Sequence, residues 1–95
     1  MNDSVYLGID VGTGSVRAGI FSATGERLGY GDHPIEIWRP EPDTVEQSSD
    51  DIWRACASAI RATLGESGLD PNRVGGISFD ATCSLVALDA DDRPV

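Results

Sequence analysis

Two short apolar runs joined by a glycine-rich turn constrain the fold of this chain more than any other feature. The first run, 5–11, is VYLGIDV, and strand character resumes over 16–22, which is VRAGIFS. Both runs are rich in residues that favour β-strands, and the two glycines between them mark a tight turn. A second turn at 23–26 leads to a third run over 27–32. The sequence therefore predicts a meander of three antiparallel strands.

A helix is predicted after a proline-containing loop over 34–47. Ser48 or Ser49 can cap this helix, and the two aspartates that follow place negative charge in its first turn, where the helix dipole favours it. Gly65 and Gly68 mark its end. Apolar side chains recur at helical spacing and predict one buried stripe, which comprises Ile52, Trp53, Cys56, Ala59, Ile60, Thr63 and Leu64.

A further strand and a hairpin are predicted beyond the helix. The run 74–79, VGGISF, predicts a second buried strand, most simply parallel to the first one. The run 84–89 predicts another strand, and a turn at 90–93 leads to Pro94 and Val95, where a returning strand would begin. Strands on both sides of a helix predict an α/β fold.

The composition excludes several kinds of site. The 95 residues include seven arginines and no lysine, which removes both a Walker A loop and Schiff-base lysine chemistry. His33 is the single histidine, so a HExxH zinc site is excluded. The net charge of −9 argues against nucleic-acid binding. Because the chain has neither an apolar run of membrane-spanning length nor a signal-peptide pattern, we expect no membrane association and a cytoplasmic location.

The turn between the first two strands carries residue types that suit a phosphate site. Glycines let the backbone approach a ligand closely, and consecutive backbone N–H groups in such a turn can bind an anion. Hydroxyls and an arginine add donors, and a carboxylate at the end of the first strand could hold Mg²⁺. The alternative is an ordinary hairpin turn whose aspartate only hydrogen-bonds the loop. The candidate residues are Asp10, Gly12, Thr13, Gly14, Ser15 and Arg17.

The pattern Asp10-x-Gly-Thr-x-Ser-x-Arg resembles the first phosphate loop of the actin-like ATPase superfamily, which includes sugar kinases, Hsp70 chaperones and actin. Within that superfamily the chain is most similar to the FGGY carbohydrate kinases. The similarity covers the whole chain and is carried by YLGIDVGTGSVR at 6–17, EQSSDDIW at 46–53 and GISFDATCSLV at 76–86. The last stretch resembles the ribulokinase-like, or pentulose kinase, branch.

This resemblance implies a ribonuclease H-like fold. The expected architecture is a mixed sheet with a three-stranded antiparallel meander, a helix, and then a further strand and a hairpin. Residues 1–95 would be the first part of a truncated kinase N-terminal domain. The resemblance is compatible with a homodimer of the full-length protein.

The resemblance also implies an ATP-dependent sugar kinase. Such an enzyme transfers the γ-phosphoryl group of ATP to a sugar hydroxyl with the help of Mg²⁺, and D-ribulose or another pentulose is the leading acceptor. Asp10 would belong to the Mg²⁺ environment, residues 12–15 would contact the phosphates, and Arg17 would lie beside them. The catalytic aspartate is expected in a later segment, so we expect residues 1–95 alone to be inactive.

The segment after the fourth predicted strand is a candidate sugar site. Ligands of open α/β sheets bind outside the carboxyl ends of the strands, and small polar side chains here leave room for a polyol. In related kinases this segment lines the sugar pocket, and its residues here are Asp80, Ala81, Thr82, Cys83 and Ser84. The alternative is a polar bulge whose side chains bond to the local backbone. We expect Glu46 and Gln47 to orient a loop, with an approach to the sugar as the alternative.

Two other classes of function stay open at this stage. A non-catalytic interaction module of actin-like fold would bind nucleotide phosphate or a protein partner without chemistry. A different actin-like ATPase, such as a chaperone-type hydrolase, would share the phosphate turn, although the stretch 80–86 argues against it.

Overall fold

The computed structural model describes residues 3–82 and 85–95, and it contains four strands and one long helix. The predicted meander, helix and further strand are confirmed. Their bounds are β1 Val5–Val11, β2 Ser15–Phe21, β3 Arg27–Pro34, α1 Ser49–Ser67 and β4 Val74–Ala81.

The four strands form one mixed sheet in the order β3-β2-β1-β4. The three meander strands are antiparallel, and β4 pairs with β1 in parallel, as predicted. A parallel pair needs a crossover connection, which α1 provides between β3 and β4. Because β1 and β4 run in the same direction, their carboxyl ends lie side by side, next to the β1–β2 turn.

The two faces of the sheet differ in what covers them. Alternate residues of β1 and β2 are buried beneath α1, and we call this side the helix face; it carries Val5, Leu7, Ile9, Val16, Ala18 and Ile20. The intervening residues point to the opposite side, which we call the open face. Asp10 and Arg17 lie on the open face, directly opposite each other in the β1–β2 register.

Two glycines of β3 allow α1 to lie very close to the sheet. A Cβ atom at Gly31 would stand 2.6 Å from the Ala59 carbonyl oxygen, and one at Gly29 would stand 2.6 Å from the Thr63 carbonyl oxygen. Real Cβ atoms do not approach backbone oxygens that closely, so glycine is required at both positions. The helix contributes the small Ala55 and Ala59 to the same interface, and both are completely buried.

The helix begins and ends as its sequence predicts. The Ser48 hydroxyl accepts a hydrogen bond of 3.2 Å from the backbone N–H of Asp51, which makes Ser48 the N-cap. Gly68 ends the helix in a left-handed conformation with φ of 67°. Cys56 is buried, and its burial raises the pKa of the thiol, so this residue acts as a small apolar side chain.

The prediction that Trp53 belongs to the core is wrong, because its side chain is 73% exposed. The buried face of α1 runs through Ala55, Cys56, Ala59 and Thr63. At 100° per residue, Trp53 projects roughly 100° away from the middle of that face. The helical spacing is therefore correct, but the predicted buried stripe is wider than the face that α1 buries.

The predicted burial of the fourth strand is also wrong. Ile77 and Phe79 of β4 are 55% and 57% exposed, because α1 packs mainly over β3 and β2. The predicted strand over 84–89 is not a strand of the sheet within the described residues. The predicted hairpin is confirmed, because the segment 85–95 is closed by an antiparallel bridge between Leu88 and Pro94. Cys83 and Ser84 lie outside the described residues. No helix among the described residues is long and apolar enough to cross a membrane.

Candidate functional site

The β1–β2 turn is compact, and it does not use the left-handed conformation that glycine favours. The Gly12 N–H donates to the Ser15 carbonyl oxygen at 2.9 Å and closes the turn. A Cβ atom at Gly12 would stand 3.1 Å from both this oxygen and the Arg17 guanidinium. Gly14 has no neighbouring atom within 4 Å of such a Cβ, so its missing side chain leaves open space beside the turn. The two glycines thus have different roles, one in packing and one in access.

Within the described residues, four carbonyl oxygens in and beside the turn are held by donors of the protein. One of these donors is the side-chain amide of Gln47, and the others are backbone N–H groups. The four carbonyl–donor pairs are Val11 with Thr82 at 3.0 Å, Thr13 with Gln47 at 2.7 Å, Gly14 with Ile35 at 3.0 Å and Ser15 with Gly12 at 2.9 Å. The turn is therefore anchored from β4, from the segment after β3 and from the approach to α1.

Two N–H groups of the turn have no acceptor among the described residues. Within the described part of the chain, the backbone N–H groups of Thr13 and Gly14 donate to no protein acceptor, and both residues are exposed. Adjacent backbone N–H groups without protein acceptors can form a concavity that suits an anion. These N–H groups without protein acceptors suit a phosphate group, and this observation does not depend on the sequence motif.

Asp10 and Arg17 form an ion pair beside this turn. The Arg17 Nη2 atom lies 2.7 Å from the Asp10 Oδ2 atom, and both side chains are 49% exposed. An exposed pair of this kind contributes about 0.2–1 kcal/mol to stability, so it is easily rearranged by a ligand. Arg17 keeps further N–H donors that this pair does not use. The alternative of an aspartate that only hydrogen-bonds the loop is not what the structure shows, because Asp10 bonds to Arg17 instead.

Four charged residues lie in a row across the open face. The strand registers place Arg17 between Asp32 and Asp10, and they place Asp80 beside Asp10. The sequence-based search missed Asp32, although the two-residue period of β3 puts it on this face. Three carboxylates accompany one arginine here, so a phosphate ligand at the turn would need an additional cation nearby.

A divalent cation fits this site only where phosphate oxygens of a bound ligand complete its coordination. No group of three or more His, Cys, Asp or Glu side chains is arranged to hold a metal ion among the described residues. Mg²⁺ is usually bound through one or two carboxylates, with phosphate oxygens and waters completing its shell. Asp10 at the end of β1 can supply one such carboxylate.

The candidate sugar segment adjoins the turn. Asp80 and Ala81 end β4, and the backbone N–H of Thr82 donates to the Val11 carbonyl at the end of β1. These contacts place the end of β4 and Thr82 beside the β1–β2 turn. A hollow of about 790 Å³ extends from Thr13 and Gln47 to the apolar side chains of Leu85 and Val86.

Comparison with known proteins agrees with this architecture. Residues 5–95 match the FGGY family of carbohydrate kinases, N-terminal domain. The chain belongs to the FGGY carbohydrate kinase family. Its mixed sheet and helix are those of the FGGY sugar kinases, whose fold is actin-like and ribonuclease H-like, which confirms the predicted fold class.

Several FGGY relatives cover most of this chain. Over 90 residues it is 47% identical to the FGGY carbohydrate kinase domain-containing protein of Homo sapiens. This alignment covers 95% of this chain and 16% of that protein. The chain is 46% identical over 85 residues to a D-ribulokinase of Saccharomyces cerevisiae, which covers 90% of this chain and 12% of that protein. The L-xylulose/3-keto-L-gulonate kinase of Escherichia coli is 31% identical over 91 residues, covering 95% of this chain and 18% of that kinase.

A solved structure shows the same FGGY arrangement. A "xyloylose kinase" from Brucella ovis superimposes with a TM-score of 0.87 at 28% identity, over 95% of this chain and 19% of that one. The chain thus spans about a sixth to a fifth of the length of the human relative and of this kinase.

Proposed function

We propose that the full-length protein transfers the γ-phosphoryl group of ATP to a hydroxyl of a pentulose, with D-ribulose as the leading acceptor. The observation that carries this proposal is the β1–β2 turn, in which the N–H groups of Thr13 and Gly14 have no protein acceptor among the described residues and can donate to phosphate oxygens. Membership of the FGGY carbohydrate kinase family supports the sugar as the phosphoryl acceptor.

The residues of this chain serve to hold the phosphates. The N–H groups of the turn and the hydroxyls of Thr13 and Ser15 bind the β- and γ-phosphate oxygens. Arg17 adds a charged donor beside them. Mg²⁺, when bound, neutralises charge on the phosphates, and Asp10 would hold it directly or through water. Phosphoryl transfer depends mostly on positioning and charge stabilisation, which these groups supply.

The segment 80–84 would form part of the sugar wall. The hydrogen bond between Thr82 and Val11 supports this placement, because it brings the segment beside the phosphate turn. The similarity of 76–86 to the pentulose kinase branch and the D-ribulokinase among the relatives support D-ribulose. We assign the catalytic base to no residue of 1–95 and propose that this segment alone, as part of an N-terminal kinase domain, is inactive.

A substrate panel tests the proposal. The intact enzyme is assayed for ADP formation from Mg-ATP with D-ribulose, L-ribulose, D-xylulose, L-xylulose and glycerol. We expect the highest kcat/KM with D-ribulose. A preference for glycerol would contradict the pentulose, and ADP formation that no sugar increases would contradict a kinase in favour of a hydrolase or a binding module.

A further inference from the structure

Among the described residues, Gln47 makes the one side-chain contact that anchors the turn. Its Nε2 atom donates to the Thr13 carbonyl oxygen at 2.7 Å, across 34 positions of the chain. The other three carbonyls of the turn accept from backbone N–H groups, which any residue except proline would supply. The Thr13 carbonyl therefore depends on the identity of a particular side chain.

The orientation of this carbonyl determines the orientation of a neighbouring donor. The Thr13 carbonyl and the Gly14 N–H belong to one peptide unit, which is planar and trans, so the two groups point in opposite directions. A donor that holds the carbonyl toward the start of α1 thereby directs the Gly14 N–H toward the exposed side of the turn. Because Gly14 carries no side chain, this peptide would otherwise rotate at low cost.

The position of Gln47 is itself well defined. The residue before it, Glu46, is joined to Trp38 by two backbone hydrogen bonds of 2.8 Å. The residue after it, Ser48, is the N-cap of α1. Gln47 is therefore held between an antiparallel bridge and a helix start, so its amide reaches the turn from a rigid base.

We propose that Gln47 is a positioning residue that sets the affinity of the turn for the β- and γ-phosphates of the nucleotide by orienting the Thr13–Gly14 peptide. This inference rests on the proposed kinase function. A glutamate at this position would match glutamine in shape but would have no proton to donate at neutral pH. Its carboxylate would repel the Thr13 carbonyl oxygen and favour rotation of the peptide, which turns the Gly14 N–H inward.

The test compares nucleotides that differ in their phosphates. ATP, ADP and AMP are titrated by calorimetry into the intact enzyme and into its Gln47→Glu and Gln47→Ala variants. Thermal unfolding and the KM for the sugar are measured on the same samples. Asn72→Asp is the matched control, because it makes the same amide-to-carboxylate change on an exposed turn before β4, at the other end of the sheet.

We expect Gln47→Glu to weaken ATP and ADP binding by about 10-fold and Gln47→Ala by about 3-fold, while AMP binding and the sugar KM stay within about 2-fold of wild type. The control should bind all three nucleotides like the wild type. An equal loss for AMP and ATP, in step with a lower melting temperature, would show a merely structural role and overturn the inference.

Unchanged ATP binding in both variants would also overturn it, while wild-type ATP binding would leave the proposed kinase intact. Failure of the wild-type enzyme to bind ATP would overturn the proposed function and this inference together. If Gln47→Glu does not fold, Gln47→Ala decides, since it removes the donor without adding charge.

Discussion

The two faces of the sheet are built from the same strands but do different work. On the helix face, α1 packs against β3 so closely that Gly29 and Gly31 admit no side chain. On the open face, the same strands present Asp10, Arg17 and Asp32 in a partly exposed row. One face is closed by apolar contacts, and the other presents charges next to the β1–β2 turn.

Whether a substitution alters stability or ligand binding should depend on the face of the sheet on which it lies. Tight packing on the helix face leaves no freedom to absorb a change of volume, so changes there should alter the free energy of unfolding. Exposed charges on the open face contribute little to stability, so changes there should alter ligand binding and catalysis instead. Each prediction below is a test of this division in the intact enzyme.

The largest effect is expected for Asp10→Asn on the open face. We expect kcat to fall on the order of 100-fold, because the change removes the carboxylate proposed for Mg²⁺, a loss of about 3 kcal/mol in transition-state stabilisation. The free energy of unfolding should change by less than about 1 kcal/mol, since the exposed pair with Arg17 is weak. Steady-state kinetics and urea unfolding measure the two effects. An unchanged kcat would rule out the metal role.

The next effect is expected for Gly31→Ala on the helix face. The new methyl group would meet the Ala59 carbonyl and the Thr63 N–H at 2.6 and 2.7 Å, so we expect a loss of about 2 kcal/mol in the free energy of unfolding. Gly65→Ala is the matched control, because nothing lies within 4 Å of a Cβ there, and it should stabilise the protein by about 0.5–1 kcal/mol. Equal effects of both changes in urea unfolding would contradict the tight packing of α1 against Gly31.

A smaller loss is expected for Ser48→Ala at the start of α1. The substitution removes the hydroxyl that accepts from the Asp51 N–H, and it should destabilise the protein by about 1 kcal/mol. Ser48→Asp retains an acceptor and serves as the control that should unfold close to wild type. Thermal unfolding distinguishes the two variants, and a neutral Ser48→Ala would show that this cap contributes nothing.

The smallest effect is expected for Trp53→Ala. Because this side chain is 73% exposed, its removal should change the free energy of unfolding by less than about 0.5 kcal/mol. Ile20→Ala on the helix face provides the reference, with an expected loss of about 2–5 kcal/mol because Ile20 is completely buried. A loss of more than 2 kcal/mol for Trp53→Ala would show that another part of the intact enzyme covers this face of α1.

Local patterns in the sequence were sufficient for much of the fold. The strand predicted from the apolar run 5–11 and the caps at Ser48 and Gly68 each depend on neighbours within a few residues, and all three are confirmed. Burial was harder to predict, because it depends on which surface lies opposite. Trp53 and Phe79 are apolar residues within correctly predicted elements, yet both are exposed, since no described element covers them.

The candidate site also combines residues that local sequence predicts with contacts that only folding creates. The sequence alone predicts a phosphate site at the β1–β2 turn, because glycines, hydroxyls and an arginine occur there within eight residues. The hydrogen bond from Gln47 to Thr13 joins residues 34 positions apart, and no spacing rule predicts such a partner. The register that sets Asp80 beside Asp10 also arises only after α1 has carried the chain across the sheet.

Side chains that are close along the chain thus account for most of the predicted elements and for the residue types gathered in the turn. Only the tertiary structure decided which carbonyls of the turn are held, which N–H groups stay available and which apolar side chains are covered. The physical reason is that hydrogen-bond partners and burial are properties of surfaces brought together by folding. The pairing of Asp10 with Arg17 depends on both local sequence and folding, since a short turn brings the two residues together across neighbouring strands.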